Sequence, residues 1–260
     1  MKIQILIRYL LLFFCLSMMI ASAKADINKG IDWFNKRDEG STGIIASENS
    51  INKAISIFSN EIENPRLEKD AALYLLKSYY FKAEFATSDE KKKKEIFNQG
   101  KTLGEEYIKK YPNSPSFRYW YLVNLGSWAE VYGIFTAARE GVADLMKLHA
   151  EKIIELDPTY EDGGGYFMLG AVHYKSPYIP FFLSWPDNDE AIKWLKKANE
   201  TGEAKPVQKV YLAQALFKNK EKSSAISLLE AVTKMTPTKA EPLADWEQIK
   251  KARILLKEYR

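Results

Sequence analysis

Prolines punctuate this chain at Pro65, Pro112, Pro158, Pro206 and Pro237, at intervals of 47, 46, 48 and 31 residues. Between them, apolar residues recur at helical spacing and the alternation that marks strands is nearly absent. A stop repeated on this scale is the signature of stacked helical hairpins. Each hairpin is too small to bury its own apolar face and is completed by its neighbours. The expected fold is therefore all-α, a helical-hairpin array over residues 26–260.

The last repeat is the cleanest. Leu212, Ala213 and Leu216 fall on a first helix, Ala225, Leu229 and Val232 on a second, and Pro237 closes it, at tetratricopeptide spacing. Small residues let the paired helices approach, while the larger ones pack on the next hairpin. The repeat before it opens on Tyr166-x-x-Leu169-Gly170-x-x-His173 and continues through Ala191, Leu195 and Ala198, with an insertion at Ser176 to Pro186. Earlier repeats place Trp120, Tyr121, Asn124 and Trp128 before Met146, Ala150, Ile153 and Pro158. Leu73, Leu76 and Tyr80 come before Gly100, Gly104, Tyr107 and Pro112, and Trp33 before Ala54, Phe58 and Pro65. The segment from Pro242 to Arg260 reads as a solitary capping helix. Ser114-Pro115 and Asp187-x-x-Glu190 supply helix starts.

Residues 1–25 read as a secretory leader: Lys2 and Arg8, an apolar run from Tyr9 to Ile20, then Ala21-Ser22-Ala23-Lys24-Ala25. The apolar run is shorter than the roughly 20 residues that span a bilayer. Cleavage near Ala25 would deliver the chain to a periplasm. It would also remove Cys15, the sole cysteine, and bring the formal charge from +4 to +1. No lipidation motif surrounds Cys15, so no lipid anchor is expected. A mature chain without thiols excludes disulfides and zinc–thiolate sites, and a near-neutral balance does not suit a nucleic-acid binder.

Candidate chemistry is sparse. Gly163-Gly164-Gly165 could cradle a phosphate at a helix start, but Glu161 and Asp162 stand directly before it and would repel an anion. The preferred reading is an inter-repeat turn whose glycines allow close helix approach and positive φ. The alternative is backbone lining a ligand mouth. His149 and His173 lie in different repeats and read as packing residues. An enzyme would need His173, Glu161 and Asp162 to converge, and no nucleophile, base and orienting group assemble along the chain. No catalytic residue, metal site or cofactor is expected.

The strongest anomaly is the insertion. Tyr174, Pro177, Tyr178, Ile179, Pro180, Phe181, Phe182, Leu183, Trp185 and Pro186 crowd into 13 residues. So apolar a loop must fold under the array, form an interface, or rim an apolar pocket. Candidate partner- or ligand-binding residues are Asn124, Trp128, Tyr166, His173, Tyr178, Phe182 and Trp185.

Part of the chain, roughly Tyr119 to Tyr259, resembles the tetratricopeptide-like T-components of tripartite ATP-independent periplasmic (TRAP) transporters. The resemblance rests on Asn124-Leu125-Gly126-x-Trp128-Ala129, Leu156-Asp157-Pro158-x-Tyr160-x-x-Gly163-Gly164, Leu169-Gly170 with a following Pro177, Asp187 to Ala191, and Ala252-Arg253-Ile254-Leu255-Leu256. It implies an exported, non-catalytic adaptor that forms a homo-oligomer, trimeric by family habit, and engages a periplasmic solute-binding protein, with room for a small apolar ligand. The alternative is a general tetratricopeptide scaffold in envelope assembly that binds peptides or proteins.

Overall fold

The computed structural model describes residues 27–179, 181 and 183–260. The leader assigned to residues 1–25, and Phe182 of the insertion, lie outside the described residues. Twelve helices are described: α1 (27–35), α2 (Glu48–Glu61), α3 (Glu68–Phe81), α4 (Glu90–Lys110), α5 (Pro115–Tyr132), α6 (Ile134–Arg139), α7 (Val142–Leu156), α8 (Tyr160–Lys175), α9 (Asn188–Asn199), α10 (Pro206–Lys218), α11 (Lys222–Thr233) and α12 (Pro242–Tyr259). A five-residue π-helical turn, Lys82–Ala86, extends α3. The two β-bridges among the described residues are isolated, Thr42 with Ile45 and Ile179 with Leu183.

The helices pair as α1–α2, α3–α4, α5–α7, α8–α9 and α10–α11, with α12 alone, so the array is five hairpins and a last helix. The expected starts are present. Ser114 Oγ accepts from Phe117 N with Pro115 in the first turn, and Asp187 Oδ1 accepts from Asp189 N and Glu190 N at 2.8 and 3.0 Å. The outer helices α2, α7, α9 and α11 place Ala54 and Phe58, Ala150 and Ile153, Ala191, Leu195 and Ala198, and Ala225, Leu229 and Val232 wholly inside.

Short side chains set how closely paired helices approach. A Cβ on Gly170 of α8 would stand 2.6 Å from Leu195 Cγ, 3.0 Å from Leu195 N and 3.1 Å from Ala191 O. Two of those atoms are α9 backbone, which cannot swing aside.

The glycine-rich turn departs from expectation in detail. Positive φ is found at Gly163 (80°) but also at Glu161 (51°) and Asp162 (56°), so α8 begins with a left-handed turn carried partly by non-glycine residues. Such backbone costs about 1–2 kcal/mol per residue. The α9–α10 connection grips it. Lys205 Nζ lies 2.6 Å from Glu161 Oε2 and 3.7 Å from Asp162 Oδ2, and Gln208 Nε2 donates to Asp162 O at 2.8 Å. The two acids thus answer a lysine one hairpin on. Gly164 and Gly165 are helical and serve close approach, to Tyr119 and to Ile153 with Ile154.

Two features were not anticipated. The turn of the third hairpin contains α6, set between Gly133 and Gly141. The last helix also does more than cap. Leu243 and Ala244 of α12 pack into the apolar cluster of α1–α3, and the buried Arg37 just beyond α1 bonds Ala240 O and pairs with Glu241 at 3.3 Å. The final helix therefore meets the first hairpin.

This packing sets the response to change at two positions. In an open helix Gly→Ala is stabilising by about 1 kcal/mol. At Gly170 the sign reverses, and Gly170→Ala is expected to cost about 1–3 kcal/mol in urea unfolding, because overpacking against α9 outweighs propensity. The second position is His149, which ties α7 to α5: its Nδ1 accepts from Arg118 Nη1 at 2.6 Å, and its ring stands edge-on to Tyr121 at 5.2 Å. Burial, with the Arg118 charge second, lowers its pKa to about 4. The folded form therefore refuses a proton that the unfolded form takes up below about 6.5. Stability associated with His149 is complete above that value and is lost as pH falls from 6.5 towards 4. The difference in urea midpoint between the parent and His149→Gln is expected to narrow over that interval; a constant difference from pH 7 to pH 4.5 would refute the assignment.

Candidate functional site

The inner helices α3, α5, α8, α10 and α12, with α6 and α7 at one side, line a half-open cavity of about 480 Å³. That lies within the range of pockets that hold small organic ligands. Its long wall is the face of α5 from Tyr119 to Glu130, about 16 Å at 1.5 Å per residue. The middle is apolar: Leu122, Val123 and Gly126 of α5, Met168 and Ala171 of α8, Val207 of α10 and Ala244 of α12. A Cβ on Gly126 would meet only Met146 Cε, at 3.8 Å, so that position opens onto free space. A side recess runs beneath α6 and the insertion, between Ile134, Ala137, Val142, Pro177 and Leu183.

The two ends carry charge. At the α5 N-terminal end, Glu161 is paired with Lys205 and Glu241 with Arg37. Lys77 stands 5.2 Å over the Trp120 ring close by, and burial lowers its pKa despite the attraction of Glu161 and Glu241. At the other end are Glu84, carried inward by the π-helical turn, Glu130, paired with Lys175 at 3.0 Å, and Glu247 of α12. Burial raises the carboxyl pKa values of Glu84, Glu241 and Glu247 above the ordinary range. Burial likewise raises Tyr80 and Tyr119 and lifts Tyr211 to about 12. These phenols are neutral walls at any physiological pH.

Of the candidate binding residues, Asn124, Trp128, Tyr166, His173 and Trp185 hold the array together and do not line the cavity. Asn124 is fully buried and donates to Leu76 O (3.0 Å) and Trp120 O (2.8 Å), binding α5 to α3. Trp128 stacks on Tyr132 at 4.4 Å and donates to Asn98 Oδ1 at 2.6 Å. Tyr166 stacks on Trp194 at 5.9 Å. His173 Nδ1 accepts from Asp187 N at 3.2 Å, and the ring meets Trp185 edge-on at 5.0 Å. Trp185 in turn donates to Asp144 Oδ1 at 2.7 Å. Tyr178 is 63% exposed and points away from the apolar interior. Glu161 and Asp162 sit at one end of α8 and His173 near the other, twelve residues and about 18 Å along the axis, so these three do not converge.

The insertion is divided. Leu183 is buried and Trp185 half-buried, whereas Tyr178 and Phe181 are exposed. Across the recess, α6 exposes Ile134 and Phe135, the latter at 90%. The wall residues that the sequence reading passed over, such as Val123, Gly126, Ala171 and Tyr211, sit at inner-helix positions that look like ordinary core. The signal that could have drawn attention to them is small side chains facing one another from several inner helices, with acids one or two turns away.

The family model for regulator of microtubule dynamics protein 1-3 (RMD1-3) matches residues 44–182, from just before α2 through most of the insertion. Regulator of microtubule dynamics protein 3 of Rattus norvegicus is 35% identical over 105 residues, 40% of this chain and 21% of the relative. The Mus musculus protein of the same name is 34% identical over 107 residues, 41% of this chain and 22% of the relative. The match thus spans about a fifth of the length of these curated relatives. A solved structure, a thermophilic TPR protein from Thermus thermophilus, superposes with a TM-score of 0.58 at 11% identity, covering 91% of this chain and 98% of that one. At that identity it shows the fold, a tetratricopeptide-like helical array.

These findings overturn the resemblance to TRAP T-components, towards which nothing in the comparisons points. The physical reason is visible in the residues that carried it. Asn124 is a buried α5–α3 tie, and Leu169-Gly170 is the close crossing of α8 and α9. Any array of this type needs such residues, whatever it binds. The chain belongs to the regulator of microtubule dynamics protein 1-3 family.

Proposed function

We propose that this chain is a non-catalytic, tetratricopeptide-like scaffold that binds an elongated, largely apolar ligand in the cavity along α5. The observation that carries the reading is the cavity itself. A concave cleft of about 480 Å³, lined mainly by apolar side chains, has the size and character of sites that hold small organic ligands. Small residues, Gly126, Ala129, Ala137, Ala138, Ala143 and Ala171, keep the space open where larger side chains would fill it. The family match supports the same part of the molecule, since residues 44–182 include α5, α6, α7 and α8, which together supply most of the wall. What the family shares, on this reading, is the scaffold and its cavity. The role in microtubule dynamics for which the relatives are named is not assigned by it.

The exposed apolar tips of α6 and the insertion, Phe135 and Phe181, favour a second role for the same scaffold, docking another protein beside the cavity mouth in the manner of a tetratricopeptide adaptor. Export rests on the leader pattern of residues 1–25.

Two measurements test these proposals. Gly126→Leu places a side chain in the free space beside Met146 and is expected to weaken binding of the neutral probe N-phenyl-1-naphthylamine by about tenfold or more, equivalent to roughly 1.4 kcal/mol. Its thermal midpoint is expected to stay near that of the parent. Unchanged probe affinity in a folded Gly126→Leu protein would remove the cavity as the binding site. For export, the intact mass of protein expressed with its leader in a secreting bacterial host is expected to correspond to a chain beginning at Asp26 or Lys24. A full-length mass from the secreted fraction would count against cleavage.

A further inference from the structure

We propose that the array opens and shuts where Arg37 meets the start of α12, and that an occupant of the cavity holds it shut. The proposal rests on the cavity reading above and adds how the cavity is controlled.

In an open array each hairpin touches only its neighbours, and the whole flexes by small shifts at every crossing. Here α12 packs along α10 and α11. It is fastened to them at its far end, where Tyr259 stacks on Phe217 at 3.5 Å and Arg260 pairs with Glu230 at 2.6 Å. At its near end the incoming chain is folded back on the helix, since Thr238 N and Oγ1 donate to Asp245 Oδ2 at 2.8 and 2.7 Å. The last hairpin and α12 therefore move as one unit. Its hold on the first hairpin is small. Leu243 and Ala244 enter the apolar cluster of α1–α3. Among the described residues, the hydrogen bond and ion pair that cross this seam come from Arg37 alone: Nη2 donates to Ala240 O and lies 3.3 Å from Glu241 Oε2.

Arg37 is a seat prepared from the other side. Its guanidinium lies 4.1 Å from the centre of the Phe34 ring and 5.2 Å from that of Phe81, and Nη1 donates to Phe34 O at 3.1 Å. These contacts belong to α1 and α3 and do not depend on α12. When the seam opens, water replaces Ala240 O and Glu241, so one set of hydrogen bonds is exchanged for another and the net gain from closure is modest. An equilibrium so evenly poised is one that a ligand can shift.

The cavity lies on this seam. Tyr80 and Glu84 stand on the α3 side and Ala244, Glu247 and Gln248 on the α12 side, whereas Arg37 is not among the residues that line it. An occupant touches both sides only when the seam is shut. It must therefore favour the shut form, and the shut form must favour it by the same factor. Arg37 is on this account a positioning residue for a ligand that it does not touch.

The test measures one distance and one affinity. Nitroxide labels are placed at two exposed positions across the seam, Ser56→Cys on α2 and Lys250→Cys on α12, in the full chain carrying Cys15→Ser. Pulsed electron paramagnetic resonance of the free protein is expected to give a broad distance distribution that narrows to its short side when N-phenyl-1-naphthylamine is added. Arg37→Met, whose unbranched side chain still fills the space between Phe34 and Phe81, is expected to shift the free protein to longer distances. It is also expected to weaken the probe about fivefold. Leu243→Ala, which likewise spares the cavity lining, is expected to act in the same direction and replaces Arg37→Met should that protein not fold. Probe binding that leaves the parent distance unchanged, or a folded variant with the parent's distances and affinity, would overturn the proposal and leave the cavity reading standing. Failure of the probe to bind the parent would remove the cavity reading and this inference with it.

Discussion

The close approach of paired helices is the constraint on which everything else in this molecule depends. Where α8 crosses α9, Gly170 leaves room for Leu195 and for the α9 backbone. Where α4 crosses α5, Gly100 and Gly104 leave room for Asn124 and Tyr121. The short helices of such an array are marginal alone in water, so each hairpin holds its shape only because its partner reaches van der Waals contact along the crossing. Given that contact, the outer helices present fully buried rows to the next hairpin, and the inner helices are left to face one another. The cavity is what remains between those inner faces. It exists because the outer layer is packed well enough that the inner layer need not be.

Much of this was legible in the sequence. The proline spacing and the small-residue positions located all five hairpins, and Ala54, Ala150, Ala191 and Ala225 proved fully buried. Packing positions are readable because their chemistry is local: a small residue three or four places from a large apolar one means a helix crossing wherever it occurs. The candidate site was harder to read. Asn124 and Trp128 stood out because polar groups among aromatics suggest a ligand, yet their partners are a carbonyl of α3 and a side chain of α4. Gly126, two residues from each, faces the free space and looks ordinary in sequence. Which face of α5 points inward depends on where α8, α10 and α12 settle, and that is a property of the whole superhelix.

The same distinction explains why a family resemblance built on motifs failed. The shared residues were those that any array of paired helices needs, so they reported architecture and carried no information about ligand or partner. The left-handed turn at Glu161 and Asp162 makes the point from the other side. Two acids before three glycines first invite a question about anions, but here they hold Lys205 and fasten one hairpin to the next.

The contact of α12 with the first hairpin has a consequence for how such a chain can evolve. Open repeat proteins lengthen by duplicating units at an end, because each unit needs only its nearest neighbours. In this chain Arg37 reaches across to Ala240 and Glu241, some two hundred positions later, and the terminal helix is already seated against the opening pair. An extra hairpin would have to break that clasp before it could dock. Added length is found instead in the turns, as α6 and the aromatic insertion.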